Sequence, residues 1–135
     1  MSATTTIDDA TAIREVPARI MSAWAQNDGD AFADVFTEDA TMILPGGIYA
    51  TGRNNIASFM GAAFAGPYKG SRVFGEPISA KILGPEAAVL VTKGGVLVGE
   101  ETEVAPERAV RATWVLAKQE GRWYITAYQN TPIGA

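Results

Sequence analysis

The spacing of hydrophobic residues changes once along this chain, from a helical period to a period of two, dividing it into helices first and strands after. Ile13, Val16, Ile20 and Trp24 form the stripe of an amphipathic helix, which Asp8 or Asp9 is placed to cap. Pro17 lies inside that stripe and predicts a kink or a late start. The stretch from Asn27 to Asp30 breaks the pattern and offers a new cap. Ala31, Phe32, Val35 and Phe36 then predict a short second helix. Residues 41–44 and 48–50 read as a small hairpin around Pro45, Gly46 and Gly47. Thr51 and Gly52 open a third helix with Ile56, Phe59, Met60, Ala63 and Phe64 on its inner side, and Gly66-Pro67 closes it.

From Ser71 onward the pattern is extended. Four long strands are predicted at 72–83, 87–98, 108–118 and 122–131, and their short links make an antiparallel meander. Gly94-Gly95 in mid-strand predicts a bulge or a sharp bend. Helices followed by a curved antiparallel sheet make the class α+β, one layer on the other. The last two strands carry the most information. Trp114 and Leu116 share one face of the first, with Arg111 and Thr113 on the other; Trp123 and Ile125 share a face of the second, opposite Tyr124, Thr126, Tyr128 and Asn130. One face is aromatic and aliphatic. The other mixes rings with hydrogen-bonding groups, as a small-molecule pocket does. A four-residue turn over 118–121 would pair Ala117 with Arg122, setting Arg111 beside Tyr128 and Thr113 beside Thr126. A one-residue bulge would reverse the parity and turn Trp114 into the pocket. The sequence leaves both registers open.

Composition narrows the chemistry chiefly by what it lacks. The 135 residues make one domain, expected over 8–135 after a flexible N-terminus at 1–7, and large enough to bury roughly two-thirds of its unfolded surface. Without Cys or His, the chain has no thiolate or imidazole ligand and no Ser-His-Asp or Cys-His triad. No metal and no cofactor is called for. Proton transfer would fall to carboxylates, Tyr, Lys, Arg or water. The net charge of −4, with cations scattered singly, argues against nucleic acid. No apolar run approaches membrane length, and no export signal is visible, so a cytoplasmic location is expected.

The runs Ala-Trp-Ala-Gln-Asn-Asp-Gly-Asp-Ala over 23–31, Phe-Thr-Glu-Asp-Ala over 36–40, Pro45-Gly46-Gly47, Thr51-Gly52-Arg53 and Gly-Arg-Trp-Tyr-Ile over 121–125 occur in an order that resembles one family. It is the nuclear-transport-factor-like superfamily, which includes SnoaL-like polyketide cyclases and ketosteroid isomerases. The strand Trp-Val-Leu-Ala-Lys and the ending Gln129-Asn130-Thr131 look closest to the SgcJ/EcaC-type branch, associated with enediyne polyketide pathways. The resemblance covers about 10–131. It implies a cone-shaped, cystatin-like fold, three N-terminal helices on a strongly curved antiparallel sheet, and a homodimer through the convex sheet face. The alternation independently predicts that face to be large and apolar. The catalytic pattern is mostly missing: Leu44 stands where ketosteroid isomerases carry a catalytic Asp before Pro45, Ser22 near the oxyanion Tyr, and Thr113 near the second acid. The His of some SnoaL-like cyclases has no counterpart.

The candidate ligand contacts are Arg111, Thr113, Tyr128 and Asn130, with Trp24, Tyr49 and Phe59 as further wall residues. A buried Arg needs a partner, either an anionic or enolate oxygen of a ligand or a Glu such as Glu103 or Glu107. Trp24, Phe36, Phe59 and Phe64 become pocket wall if the cone stays open, and core otherwise. Tyr49 either points into the pocket mouth or packs along its strand. Asp39 is the candidate acid or base, with a turn carboxylate as its structural alternative. The acidic stretch 100–103 reads as a solvated loop or a lid edge. Two functions remain in view: cofactor-independent isomerase, cyclase or hydratase chemistry on an apolar polyketide-type intermediate, or non-catalytic sequestration and delivery of one.

Overall fold

A computed structural model of the chain describes residues 8–133; the expected flexible stretch 1–7 lies outside the described residues. The first helical stripe divides into α1 (Asp9–Arg14) and α2 (Val16–Ala25), with Pro17 in the first turn of α2, where its missing N–H costs nothing. Ile13, Val16, Ile20 and Trp24 are all buried. Asp8 occupies the N-cap of α1 without a side-chain capping bond. Asp9 does something else: its Oδ1 accepts from Trp123 Nε1 and Lys118 Nζ, each at 3.1 Å, clamping α1 to the last hairpin.

The bonds from Trp123 and Lys118 hold the Asp9 carboxyl below its ordinary 3.8. A lowered carboxylate pKa stabilises the fold above the unfolded value, and that contribution disappears as pH falls through the folded one. Asp9→Ala should therefore melt roughly 2 °C lower at neutral pH, since the pair is partly exposed. The gap should begin to narrow below about pH 4 and close once the pH falls below the depressed folded value. Thermal melts with a constant gap down to strong acid would remove the clamp.

Asp28 caps α3 (Gly29–Ala33), accepting from the Asp30 and Ala31 N–H groups at 3.0 and 3.1 Å. The helix ends sooner than its pattern predicts, and Phe36 opens β1 (Phe36–Leu44). Strand pairing decides this: Ile125 N–H donates to Val35 O at 2.9 Å. Strand β2 (Ile48–Thr51) completes the hairpin across Gly46 and Gly47, whose φ values of 92° and 80° suit glycine. Helix α4 (Arg53–Ala65) follows, burying Ile56, Met60, Ala63 and Phe64.

The meander consists of β3 (Arg72–Gly84), β4 (Ala87–Leu97), β5 (Val110–Gln119) and β6 (Arg122–Pro132), with a short 3-10 turn at Pro106–Arg108 before β5. The six strands form one sheet in the order β2-β1-β6-β5-β4-β3. All neighbours are antiparallel except β1 and β6. Ala88, Leu90, Thr92, Ala112, Trp114, Leu116, Trp123 and Ile125 are buried, and most of them join the helices in one core. The outward face is mixed rather than broadly apolar: the half-buried Val89, Val91 and Val115 adjoin Lys93, Arg111, Thr113 and Gln129. No helix among the described residues is long and apolar enough to cross a membrane.

Two local expectations give way to different geometry. Of the bulge and the sharp bend expected at Gly94-Gly95, the bulge is absent, since the β3–β4 ladder runs through it, with Phe74 opposite Gly95 and Gly75 opposite Gly94. The glycine pair is a site of close approach. A Cβ on Gly94 would lie 1.9 Å from Phe74 O, and one on Gly95 would lie 2.4 Å from Arg108 O. The final hairpin closes on the two residues Glu120 and Gly121, both at positive φ (53° and 80°), with Gln119 opposite Arg122. That moves the pairing by two and keeps its parity. A register shift then falls between Val115 and Leu116, paired with Ala127 and Ile125, leaving Thr126 as the extra residue. Beyond it the parity reverses.

Candidate functional site

Between the helices and the inner sheet face lies a cavity of about 490 Å³, within the range that holds a drug-sized molecule. Its sheet wall follows from the period of two: beyond Thr126, even positions of β5 and β6 share the inner face. Two rows cross the sheet there, Leu90–Trp114–Tyr128 and Thr92–Ala112–Asn130. From the helical side Ile20, Trp24, Phe32 and Met60 complete an apolar wall.

The polar groups are few and mostly spoken for. Trp114 Nε1 donates to Thr92 Oγ1 at 3.0 Å, with both residues buried. Trp24 Nε1 donates to Ser71 Oγ at 2.9 Å, and Ser71 in turn donates to Tyr68 O at 2.6 Å. Asn130 Nδ2 donates to Tyr128 Oη at 2.9 Å. The amide oxygen of Asn130 is buried without a partner, which in a protein interior costs about 1–3 kcal/mol. Trp114 meets Tyr128 edge to face, with centroids 5.1 Å apart at 87°. Burial pushes the Tyr128 hydroxyl above its ordinary 10.0, against the bond from Asn130 that lowers it, so Tyr128 is a neutral donor at physiological pH.

The rim is charged. Arg108 Nη2 bonds both carboxylate oxygens of Glu101, and Arg108 Nε donates to Val96 O at 3.2 Å. Glu101 also accepts from the Val98 N–H at 2.9 Å, while Arg72 donates to Gly99 O and Glu101 O at 3.0 and 2.9 Å. The bond from Arg108 holds the Glu101 carboxyl below its usual range. Within the acidic stretch, Glu101 is thus paired with Arg108 at the mouth, with 33% of its side chain still exposed.

Of the residues singled out in the sequence as contacts or wall, Trp24, Phe36, Tyr128 and Asn130 line the cavity together, and Phe64 does not. Nor do Arg111 and Thr113. They stand exposed on the outward face, Arg111 opposite Lys93 and Thr131, Thr113 opposite Val91 and Gln129. The reason is that β5 alternates without a break and turns Ala112, Trp114 and Leu116 inward, while the extra residue Thr126 in β6 brings Tyr128 and Asn130 round to that inner side. Tyr49 is 64% exposed on the edge strand. Phe59 packs against the core from α4 without lining the cavity. Asp39 is exposed on β1, outside the cavity, accepting from Thr37 Oγ1 at 3.0 Å. Thr92 and Ala112 were not singled out beforehand. Their signal was the alternation of Ala88, Leu90 and Thr92, which puts a hydroxyl on an otherwise apolar face.

A family model described as a SnoaL-like domain matches residues 5–129. The chain belongs to the SnoaL-like domain family. The SnoaL-like assignment agrees with solved structures that are similar to it. A domain of unknown function with a cystatin-like fold from Nostoc punctiforme is 30% identical, with a TM-score of 0.86 over 97% of this chain and 81% of that one. An NTF2-like protein with a cystatin-like fold from Novosphingobium aromaticivorans is 21% identical, with a TM-score of 0.78 over 93% and 82%. A ketosteroid isomerase-like protein from Erwinia carotovora atroseptica is 19% identical, with a TM-score of 0.74 over 95% and 98%. The last two likenesses are of fold alone. No curated protein matches the sequence. In this SnoaL-like cavity, Leu44 contributes hydrocarbon to the lining.

Proposed function

We propose that this SnoaL-like domain binds a mostly apolar, ring-bearing small molecule, of the polyketide type that the SgcJ/EcaC-like motifs imply, and holds or delivers it. One observation carries the reading. Among the described residues, Glu107 is the only carboxylate that lines the cavity, and it sits exposed at the mouth. The interior polar groups are hydroxyls, two indole N–H groups and an amide, which orient a ligand and take no proton from it at neutral pH. A cavity walled by Trp24, Phe32, Trp114 and Tyr128 suits rings.

A second reading, isomerase-like turnover without a cofactor, is favoured by Tyr128 and Asn130 lying side by side. Donors so placed could stabilise an enolate oxygen. A thermal-shift screen of neutral polycyclic ketones and phenols against acyclic compounds of equal size tests the binding reading. A ring-bearing ligand at 100 times its dissociation constant stabilises the fold by about 2.7 kcal/mol, a rise of roughly 8 °C for a domain of this size. Acyclic compounds matching the ring-bearing ones would defeat the proposal. Mass spectrometry of the recovered ligand separates the readings: unchanged ligand supports holding, and a product that disappears in Tyr128→Phe supports turnover.

A further inference from the structure

Tyr128 and Asn130 present an unusual pair of unfilled valences for so apolar a cavity. The Asn130 amide donates to the Tyr128 hydroxyl, so the hydroxyl's own proton is free to donate. The Asn130 oxygen is an acceptor with no donor. Turning the amide over exchanges the partners, and the pair still offers one donor and one acceptor. Trp114, packed edge-on against the Tyr128 ring, fixes where that hydroxyl oxygen sits.

The charge pattern is equally selective. Among the described residues lining the cavity, Arg108 is the only cation, and Glu101 takes it at both carboxylate oxygens. Its Nε is committed to Val96 O. An anionic ligand would lose its water and meet no free countercharge inside, an expensive transfer. A ketone or ether would accept from the pair and leave the acceptor empty. A hydroxyl is the smallest neutral group that accepts and donates at once.

We infer that the ligand is a neutral molecule anchored by a hydroxyl group between Tyr128 and Asn130, with anionic relatives excluded. The inference rests on the binding reading above and narrows its ligand class. The hydroxyl accepts from one member of the pair, donates to the other, and satisfies the amide oxygen that the fold alone leaves unmatched.

Isothermal titration calorimetry at neutral pH with 2-naphthol, 2-methoxynaphthalene and 2-naphthoate tests it, because the three share a ring system and differ only at the polar group. The naphthol should bind about ten-fold tighter than either relative, as one good hydrogen bond allows. Asn130→Leu should cut naphthol affinity about five-fold and barely alter that of the ether, while Tyr128→Phe, which keeps the ring packing, should weaken both ligands because each accepts from that hydroxyl. Equal affinities for naphthol and ether, or tighter binding of the naphthoate, would overturn the hydroxyl anchor. Nile red, a neutral dye without a hydroxyl, separates the two levels of argument. If it enters while the trio shows no preference, the anchor fails and the pocket reading stands; if neither the dye nor any of the trio binds, both fail.

Discussion

Gly94→Ala should shift the urea midpoint downward by roughly 2 M, a loss of about 3 kcal/mol, with the slope of the transition unchanged. The reason is backbone against backbone. A methyl at this position would fall 1.9 Å from Phe74 O, 2.7 Å from Phe74 C and 2.8 Å from Gly75 Cα. No rotamer change relieves such a contact, so strand β3 must move off β4 where the two pair. The partner glycine supplies the control. A Cβ on Gly75 meets nothing closer than Thr92 Oγ1 at 3.9 Å, an ordinary contact. Gly75→Ala should stay within about 1 kcal/mol of the native chain. Equal midpoints for the two variants would show that β3 yields freely at this point. Val73, Phe74 and Gly75 also border the cavity, so the Gly94 variant should lose ligand binding along with stability.

Trp114→Ala should cost about 3–5 kcal/mol, the range for deleting a large buried aromatic side chain. Trp114 is 4% exposed. It covers the floor of the cavity, donates to Thr92 and braces Tyr128. Losing it leaves the buried Thr92 hydroxyl without its donor and lets the Tyr128 ring turn. Trp114→Phe keeps one ring against Tyr128 while removing the N–H and part of the indole's bulk, so it should cost less than the alanine variant, about 2–3 kcal/mol. Denaturation of both variants measures the two costs. An alanine variant within about 1 kcal/mol of the native chain would mean that the wall is not part of the core. That outcome would contradict its burial.

Alternation made the elements legible. The four meander strands and α4 fall within a residue or two of where the period of two and the Gly-Pro punctuation put them. What was not legible depends on partners far along the chain. Thr126 is a bulge because β6 is shared. On one side β6 pairs with β5; on the other Phe36 meets Ile125 and Thr41 meets Ala127, so both pairings shift register around Thr126. Thr37 Oγ1 lies 3.3 Å from Thr126 Oγ1 at that point. Nothing local to 111–131 announces it, so Arg111 and Trp114 were equally eligible for the pocket. The same holds for Phe36, helical by its spacing from Phe32 but claimed by a strand, and for Gly94-Gly95. There the need for glycine was visible, while the close approach that causes it was not. Asp9 read as a cap because its neighbours are local; its actual partners are more than 100 positions away.

The parallel pairing of β1 with β6 has a consequence for how the chain is built. A single strand, later in sequence than every other described one, joins the amino-terminal hairpin to the meander. Until it inserts, the sheet exists as two pieces, and the seam that unites them joins Thr37 to Thr126, 89 positions apart. Such distant closure is slow, because chain entropy is lost before the contact repays it. Nascent or truncated forms lacking that strand should therefore expose both raw edges and depend on chaperones until it arrives.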